Sequence, residues 1–408
     1  EWDIKIMPQR WGDCPWNFLS IDDPIRQRFI GNTLPKQPEV WIQITIPSEF
    51  QAVGQFNIGV SAGIESTIFP SNFIIGMNKM NLNLVSSKHS QQAALRSHFD
   101  KFDNRTKQKI ETIKLEKPCE VLFEGLDLDK YYKNPSKSSI LKDIPEDFCF
   151  LYTGHWLNGR LGEDRKNTGL MIKTFLETFK GHLGKKPALI LKTNEVNYSL
   201  LDREKIIEKI HKIKDKVGGK LPNIYLLHGE MTDEEMNQLN NDPKVKSFIS
   251  FTKGEGFGRP LLEAAITGKP VIVSNWSGHV DFIKPEYNIL VGGELKNVHQ
   301  SAANEWLLKE SQWFNIDTNI ASKAMKNVFK KYKNFLEPSR KQTQYLKDNF
   351  SFNKMTDKLK AFLPIIEQAP QQQTLNLPKL NLPKLKKVEN KQQKLPNLKL
   401  PKLKKIES

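Results

Sequence analysis

The most constraining stretch of the chain is residues 248–282, FISFTKGEGFGRPLLEAAITGKPVIVSNWSGHVDF. It reads as strand, glycine loop, helix, strand and polar loop. A β-prone run at 248–251 leads into Gly254, Gly256 and Gly258, interleaved with Glu255 and Phe257. Glycines at this density let backbone N–H groups approach a ligand with no side chain between. Pro260 suits a first helical position, where its missing N–H would be unpaired in any case. The helix expected over 260–267 ends at Gly268, and Pro270 prevents its continuation. Residues 271–273 read as a buried strand.

A helix that opens from a glycine loop favours negative charge at its N-terminus. Glu255 would be repelled by bound phosphates, so it is expected to face something else, such as hydroxyls or developing positive charge. Glu263 lies eight residues on, about one turn into the helix. There it is placed to accept both hydroxyls of a ribose, the task of the acidic residue in dinucleotide sites. Each feature alone is weak, since a lone glycine loop is usually a turn and a lone Glu a solvated dipole partner. Their combination in one strand–loop–helix unit is much stronger.

Glu255-Gly-Phe-Gly-Arg-Pro-Leu-Leu-Glu263-Ala-Ala, followed by Gly268-Lys-Pro-Val-Ile, resembles the Glu-x7-Glu signature of retaining glycosyltransferases of family 4. The resemblance implies the GT-B fold: α/β, with two Rossmann-like parallel-sheet domains facing a cleft. It also implies that Glu255 lies by the donor sugar, that Glu263 binds the nucleotide ribose, and that the amides of Gly256, Phe257 and Gly258 hold sugar and phosphate. Arg259 departs from the pattern, which commonly has a small or apolar residue there.

Upstream, strands and helices alternate at spacings that build a parallel sheet with ligands at its carboxyl edge. Strands are expected over 148–153, 188–191 and 223–227, and helices over 168–179, 202–217 and 233–239. The loop 154–167 is polar and ends in Arg165-Lys166-Asn167. The family places an Arg and a Lys in this loop against the donor diphosphate. Lys166 fits, and Arg160 and Arg165 are the alternatives for the arginine, of which Arg165 adjoins Lys166. Glu255, Lys166 and Arg165 are therefore the catalytic candidates. Lys192 ends the next strand, His228-Gly229 ends the one after, where the family's backbone meets the base, and His279 follows the strand at 271–273. These three sites complete the donor-binding set.

Residues 1–138 read as the acceptor domain, with strands over 3–7, 40–46, 56–60, 83–86 and 121–123 and a helix over 87–96. Glu65, Ser87 and Gly125/Asp127 fit family positions. No glycine-rich loop precedes Gly54, so this domain reads as short at its start, and a start without Met suggests a chain cut from a longer protein. Residues 139–337 read as the donor domain, with later helices over 298–309 and 318–336. Residues 338–366 resemble the family's final helices, which return to the first domain. Asp127-Leu-Asp129 matches a metal-binding pattern of another glycosyltransferase architecture, but such a pair is more often turn chemistry. No metal and no other cofactor is expected.

The net charge is +16, and residues 371–408 hold ten Lys against two Glu, so half the excess lies in the tail. Near-repeats of Leu, Pro and Lys at 375–389 and 394–407 forbid a long helix and oppose collapse. The tail, 367–408, is expected to be disordered, with weak contact to an anionic membrane face or a solubilising role as its uses. The rest of the chain is only mildly basic, which argues against nucleic acid as partner. Three scattered cysteines, Cys14, Cys119 and Cys149, argue for a reducing, cytoplasmic setting, with the inner membrane face as a peripheral location. The partners implied are a nucleotide-sugar donor and a glycan or lipid-linked acceptor. Two alternatives stand beside this reading: a phage-type transferase acting on DNA bases, and an inactive nucleotide-sugar-binding module.

Overall fold

The computed structural model describes residues 2–9, 19–31, 33–134 and 140–362. Cys14, residues 135–139 and the basic tail lie outside them.

The chain builds two parallel sheets. The first lobe carries β1 (Val40–Ile44), β2 (Phe56–Ser61), α1 (Ser71–Met77), β3 (Leu82–Val85), α2 (Lys88–Arg96), the hairpin β4 (His98–Phe102) and β5 (Lys109–Lys114), and β6 (Cys119–Val121). Its sheet runs β1-β2-β3-β6, every pairing parallel. The second lobe carries β7 (Cys149–Thr153), α3 (Thr168–Phe179), β8 (Ala188–Lys192), α4 (Leu200–Val217), β9 (Ile224–Leu227), α5 (Asp233–Asn241), β10 (Val245–Ser250), α6 (Arg259–Ala265), β11 (Val271–Ser274) and β12 (Ile289–Val291). These strands run β12-β11-β10-β7-β8-β9, again all parallel. A second hairpin, β13 (Gly293–Asn297) with β14 (Gln312–Ile316), and helices α7 (Thr318–Lys330), α8 (Leu336–Phe350) and α9 (Phe352–Lys360) follow.

The central strands of the second lobe form the middle of its core. β8 and β11 are buried at every position, as strands covered by helices on both faces must be. α3 lays Phe175 and Phe179 on β7, where Phe150 meets both rings at 6.0 Å. One such Phe buried from water contributes about 2 to 3 kcal/mol. The chain then returns to the first lobe. Leu126 N donates to Phe350 O at 2.8 Å and Phe352 N to Leu126 O at 3.1 Å. Phe123, Phe257, Phe282 and Phe350 close an aromatic cluster across this junction.

Several expectations need correction. Residues 3–7 form no strand; only a bridge between Ile6 and Phe29 is made. Residues 298–309 form turns rather than a helix, because Asn304 Oδ1 accepts from the amides of Trp306 and Leu307 and so competes with helical pairing. The helix expected over 318–336 stops at Lys330, and a 3-10 turn over Tyr332–Phe335 separates it from α8. Both antiparallel hairpins are additions to the expected element order. Asp127 accepts the amide of Asp129 at 3.0 Å, the turn geometry of an Asx residue. Among the described residues no helix is long and apolar enough to cross a membrane.

Candidate functional site

The two lobes meet at the glycine loop between β10 and α6. Gly254 and Gly256 are required there because a Cβ on either would collide with backbone of the first lobe, the carbonyls of Glu65 and Ala62. The close approach that these glycines permit is thus to the turn after β2. Gly258 has φ +100° and His279 Cβ behind it at 3.1 Å from where its own Cβ would be. The amides of Gly256, Phe257 and Gly258 have no hydrogen-bond partner among the described residues, although all three residues are buried.

Beside this loop sits a charged cluster. Lys166 Nζ donates to both carboxylate oxygens of Glu255, at 2.6 and 2.8 Å. Arg165 Nη1 lies 3.5 Å from Glu255 Oε2, donates to Gly254 O at 3.1 Å and reaches Glu65 of the opposite lobe at 3.3 Å. The loop is tied in place by Lys253 N donating to Arg165 O at 2.8 Å. Burial alone would raise the Glu255 pKa; Lys166 and then Arg165 overcome it and hold the carboxylate down at about 2. Burial pulls Lys166 below the usual lysine range, with Glu255 acting against it.

Two strained residues frame the cluster. Asn167, fully buried, has φ +55°, and both its side-chain polar atoms lack partners among the described residues. Ser277 has φ +79° and accepts the Glu255 amide on its Oγ at 2.9 Å. Such conformations persist only where the surroundings over-determine them, and they concentrate at functional sites.

The remaining predicted residues lie at the same carboxyl edge. His279 is fully buried; its Nε2 donates to Ser274 O at 2.7 Å and its Nδ1 has no partner among the described residues. Burial lowers its pKa, so the ring is neutral. Glu263 accepts from Arg259 Nε at 2.9 Å. His228 Nε2 pairs with Asp202 at 2.9 Å, and Asp202, opposed by burial but fed by the amides of Glu195 and Val196, is held at about 2. Lys192 Nζ donates to Gly229 O and lies 5.2 Å from the Tyr198 ring centre. The structure thus brings Glu255, Lys166 and Arg165 into direct contact. It keeps Lys192, His228 and Gly229 together at the ends of β8 and β9, and Glu263 with Arg259 on α6. Arg160 is not part of the cluster; its amide donates to Ser301 Oγ at 3.3 Å.

Some residues at the site escaped sequence reasoning. His89 on α2 stacks edge-on against Trp276 across the cleft, ring centres 4.6 Å apart, and burial pushes it down to about 4. Lys253 is fully buried, donates to Asn315 and lies 4.9 Å from the Trp313 ring centre. No local pattern marks either one. Arg259–Glu263 was visible as an i,i+4 pair. Further ties cross the cleft: Lys88 N donates to Asp281 at 2.8 Å, and Thr67 and Gln312 exchange two bonds at 2.8 and 3.0 Å.

No protein-family model matches the sequence, and no curated protein does. Solved structures do. HepE of Anabaena, in complex with UDP and glucose, is 14% identical over 76% of this chain and 72% of that one, with a TM-score of 0.51. Sucrose-phosphate synthase from Thermosynechococcus elongatus is 13% identical over 78% and 69%, at 0.52. A glycosyltransferase from Rickettsia africae is 14% identical over 77% and 71%, at 0.51. With two parallel-sheet lobes meeting at the carboxyl-edge loops, the chain has the GT-B fold of these glycosyltransferases.

Proposed function

We propose that this protein is a retaining, family 4-type glycosyltransferase that moves a hexosyl group from a nucleotide-diphosphate sugar to a glycan or lipid-linked acceptor. The observation that carries the reading is the buried Lys166–Glu255–Arg165 cluster beside three unpartnered amides of the glycine loop. Solved structures of the Anabaena protein hold UDP and UDP-glucose, which supports a nucleotide-sugar donor here as well.

The chemistry follows from the charges. Cleaving the sugar–phosphate bond leaves an anionic diphosphate and an oxocarbenium-like sugar. Lys166, Arg165 and the amides of Gly256, Phe257 and Gly258 stabilise the departing anion, a preorganised electrostatic effect. When the diphosphate draws the cations, Glu255 is left facing the sugar and offsets its positive charge. Glu263 accepts ribose hydroxyls, Lys192, His228 and Gly229 lie at the base end, and His279 lines the sugar pocket. The acceptor enters from the first lobe past Glu65 and His89. With these cations in place the reading requires no divalent metal, and turnover is expected to survive EDTA. Buried free thiols at Cys119 and Cys149 fit a cytoplasmic setting.

The test is binding and hydrolysis across UDP-, GDP- and ADP-sugars, with Glu263→Ala as control. Selective binding lost in the variant supports the donor site and names the base. Binding of none would remove the reading.

A further inference from the structure

Arg259 is the charged residue of the 255–263 stretch that the donor reading leaves without a role. It opens α6, and its Nε donates to Glu263 Oε1 at 2.9 Å across one helical turn. The partners differ in setting: the Glu263 side chain is 10% exposed and that of Arg259 58%. A guanidinium therefore reaches from the solvent side onto a carboxylate that is almost enclosed.

The other groups around Glu263 make that contact necessary. Glu124, in the segment after β6, and Asp233, at the start of α5, both turn negative charge toward it. Asp233 is satisfied elsewhere, by Lys130 Nζ at 2.9 Å and the Tyr131 hydroxyl at 2.8 Å. Helix α8, packed against α6, presents the neutral Thr343 hydroxyl to Ala265 O at 3.3 Å, and the Tyr131 phenol, kept neutral by burial, also faces Glu263. Arg259 is thus the cation in direct contact with Glu263. A buried carboxylate facing two others tends to hold a proton, and burial pushes Glu263 up to about 7 even with Arg259 opposing the rise. In its protonated form it keeps a proton on one oxygen and accepts fewer hydroxyl protons.

We propose that Arg259 is a positioning residue of the donor site, holding Glu263 ionised and aimed so that the carboxylate accepts the ribose hydroxyls of the nucleotide. The inference rests on the donor reading above. Nucleotide affinity then follows the ionisation of Glu263: full above about pH 7 and declining as pH falls through it. Removing Arg259 moves the inflection upward. Below both inflections, each unit of displacement weakens binding about tenfold. Lysine restores the charge without the planar Nε–H geometry and is expected to restore affinity in part.

The experiment is calorimetric titration of the full chain with UDP, GDP and ADP between about pH 6 and 9, for wild type, Arg259→Met and Arg259→Lys. The expected result is a methionine variant about tenfold weaker at the acid end. It converges on wild type at the alkaline end, with the lysine variant between. Convergence itself reports an intact fold. Superimposable profiles, or a loss equal at every pH, would overturn the role of Arg259 while leaving the donor site standing. A wild type that binds none of the three nucleotides would overturn both.

Discussion

Replacing Glu255 by Gln separates what this carboxylate does for the fold from what it does for a ligand. Lys166 lies within 2.6 and 2.8 Å of its oxygens and Arg165 at 3.5 Å, and the side chain is 10% exposed, so solvent screens the cluster little. The displacement of Glu255 from 4.5 to about 2 corresponds to about 3 kcal/mol in favour of the charged form. Removing one member of a buried pair has a similar cost, about 3 to 5 kcal/mol. The unliganded variant should therefore be less stable by about 3 kcal/mol at neutral pH. The folded pKa is depressed, so this contribution is present above the unfolded value and lost as pH falls from about 5 through 2; the gap between the two proteins closes in acid. Ligand binding moves the other way. In the wild type a diphosphate competes with Glu255 for Lys166 and Arg165, and in the variant it does not. UDP should bind the variant about tenfold tighter, a gain of about 1.4 kcal/mol. A hundredfold excess over Kd adds about 2.7 kcal/mol of stability and recovers most of the loss. Turnover should fall about a hundredfold, the usual scale for losing an electrostatic stabiliser. Thermal unfolding with and without UDP, beside calorimetric titration, reads all of this. A variant that binds UDP more weakly, or keeps full turnover, would refute the reasoning.

Other expectations are as direct. Gly254→Ala and Gly256→Ala each place a Cβ against first-lobe backbone. The lobes must part, and small-angle scattering should show a larger radius of gyration together with lost turnover. An unchanged radius would mean that the contact yields locally. Lys253 is buried and pushed down to about 8, below its unfolded value, so the unfolded state binds more protons and stability rises with pH from about 8 to the ordinary lysine range. Lys253→Met should raise the melting temperature at neutral pH and lose that advantage near pH 10; a lower melting temperature would show that its bond to Asn315 dominates. Deleting residues 371–408 should reduce sedimentation with anionic liposomes, and unchanged sedimentation would end the membrane role proposed for the tail.

The second lobe was legible because its strands are continuous apolar runs, ALILK and VIVS, and its helices carry a clear period; α3 falls on its expected bounds. The hairpins were not legible. β4 and β5 expose most of both faces and so carry no alternation to read. β13 is exposed at all five positions and exists only through its pairing with β14. The turns at 298–311 have helix-like apolar spacing, and it is the side chain of Asn304 that decides against a helix. At the site, the residues of the glycine loop and of the first turn of α6 were read from local pattern, and Lys166, Arg165 and Glu65 were placed by the family resemblance, while His89 and Trp276 meet only because two lobes close on each other. Contacts between positions a hundred or more residues apart leave no trace in a single sequence's periodicity.

That closure changes what the glycine loop is for. On sequence grounds the glycines admit a ligand to the backbone. In the folded chain Gly254 and Gly256 admit the turn of the other lobe, and the amides of Gly256, Phe257 and Gly258 have no partner among the described residues. One short loop therefore sets both the lobe contact and the candidate anion site. Arg165 spans the same two functions, touching Glu255 on its own lobe and Glu65 on the opposite one. In the proposed reading, a diphosphate that draws Arg165 would weaken its hold on Glu65 and so couple donor binding to lobe contact through one guanidinium. Glu65→Gln should sever that coupling. The partly exposed Glu65–Arg165 pair is worth at most about 1 kcal/mol, so UDP affinity should rise no more than about fivefold. Scattering curves with and without UDP should then differ less than in the wild type. An unchanged UDP-dependent difference would assign lobe closure to the Lys88–Asp281 and Thr67–Gln312 contacts instead.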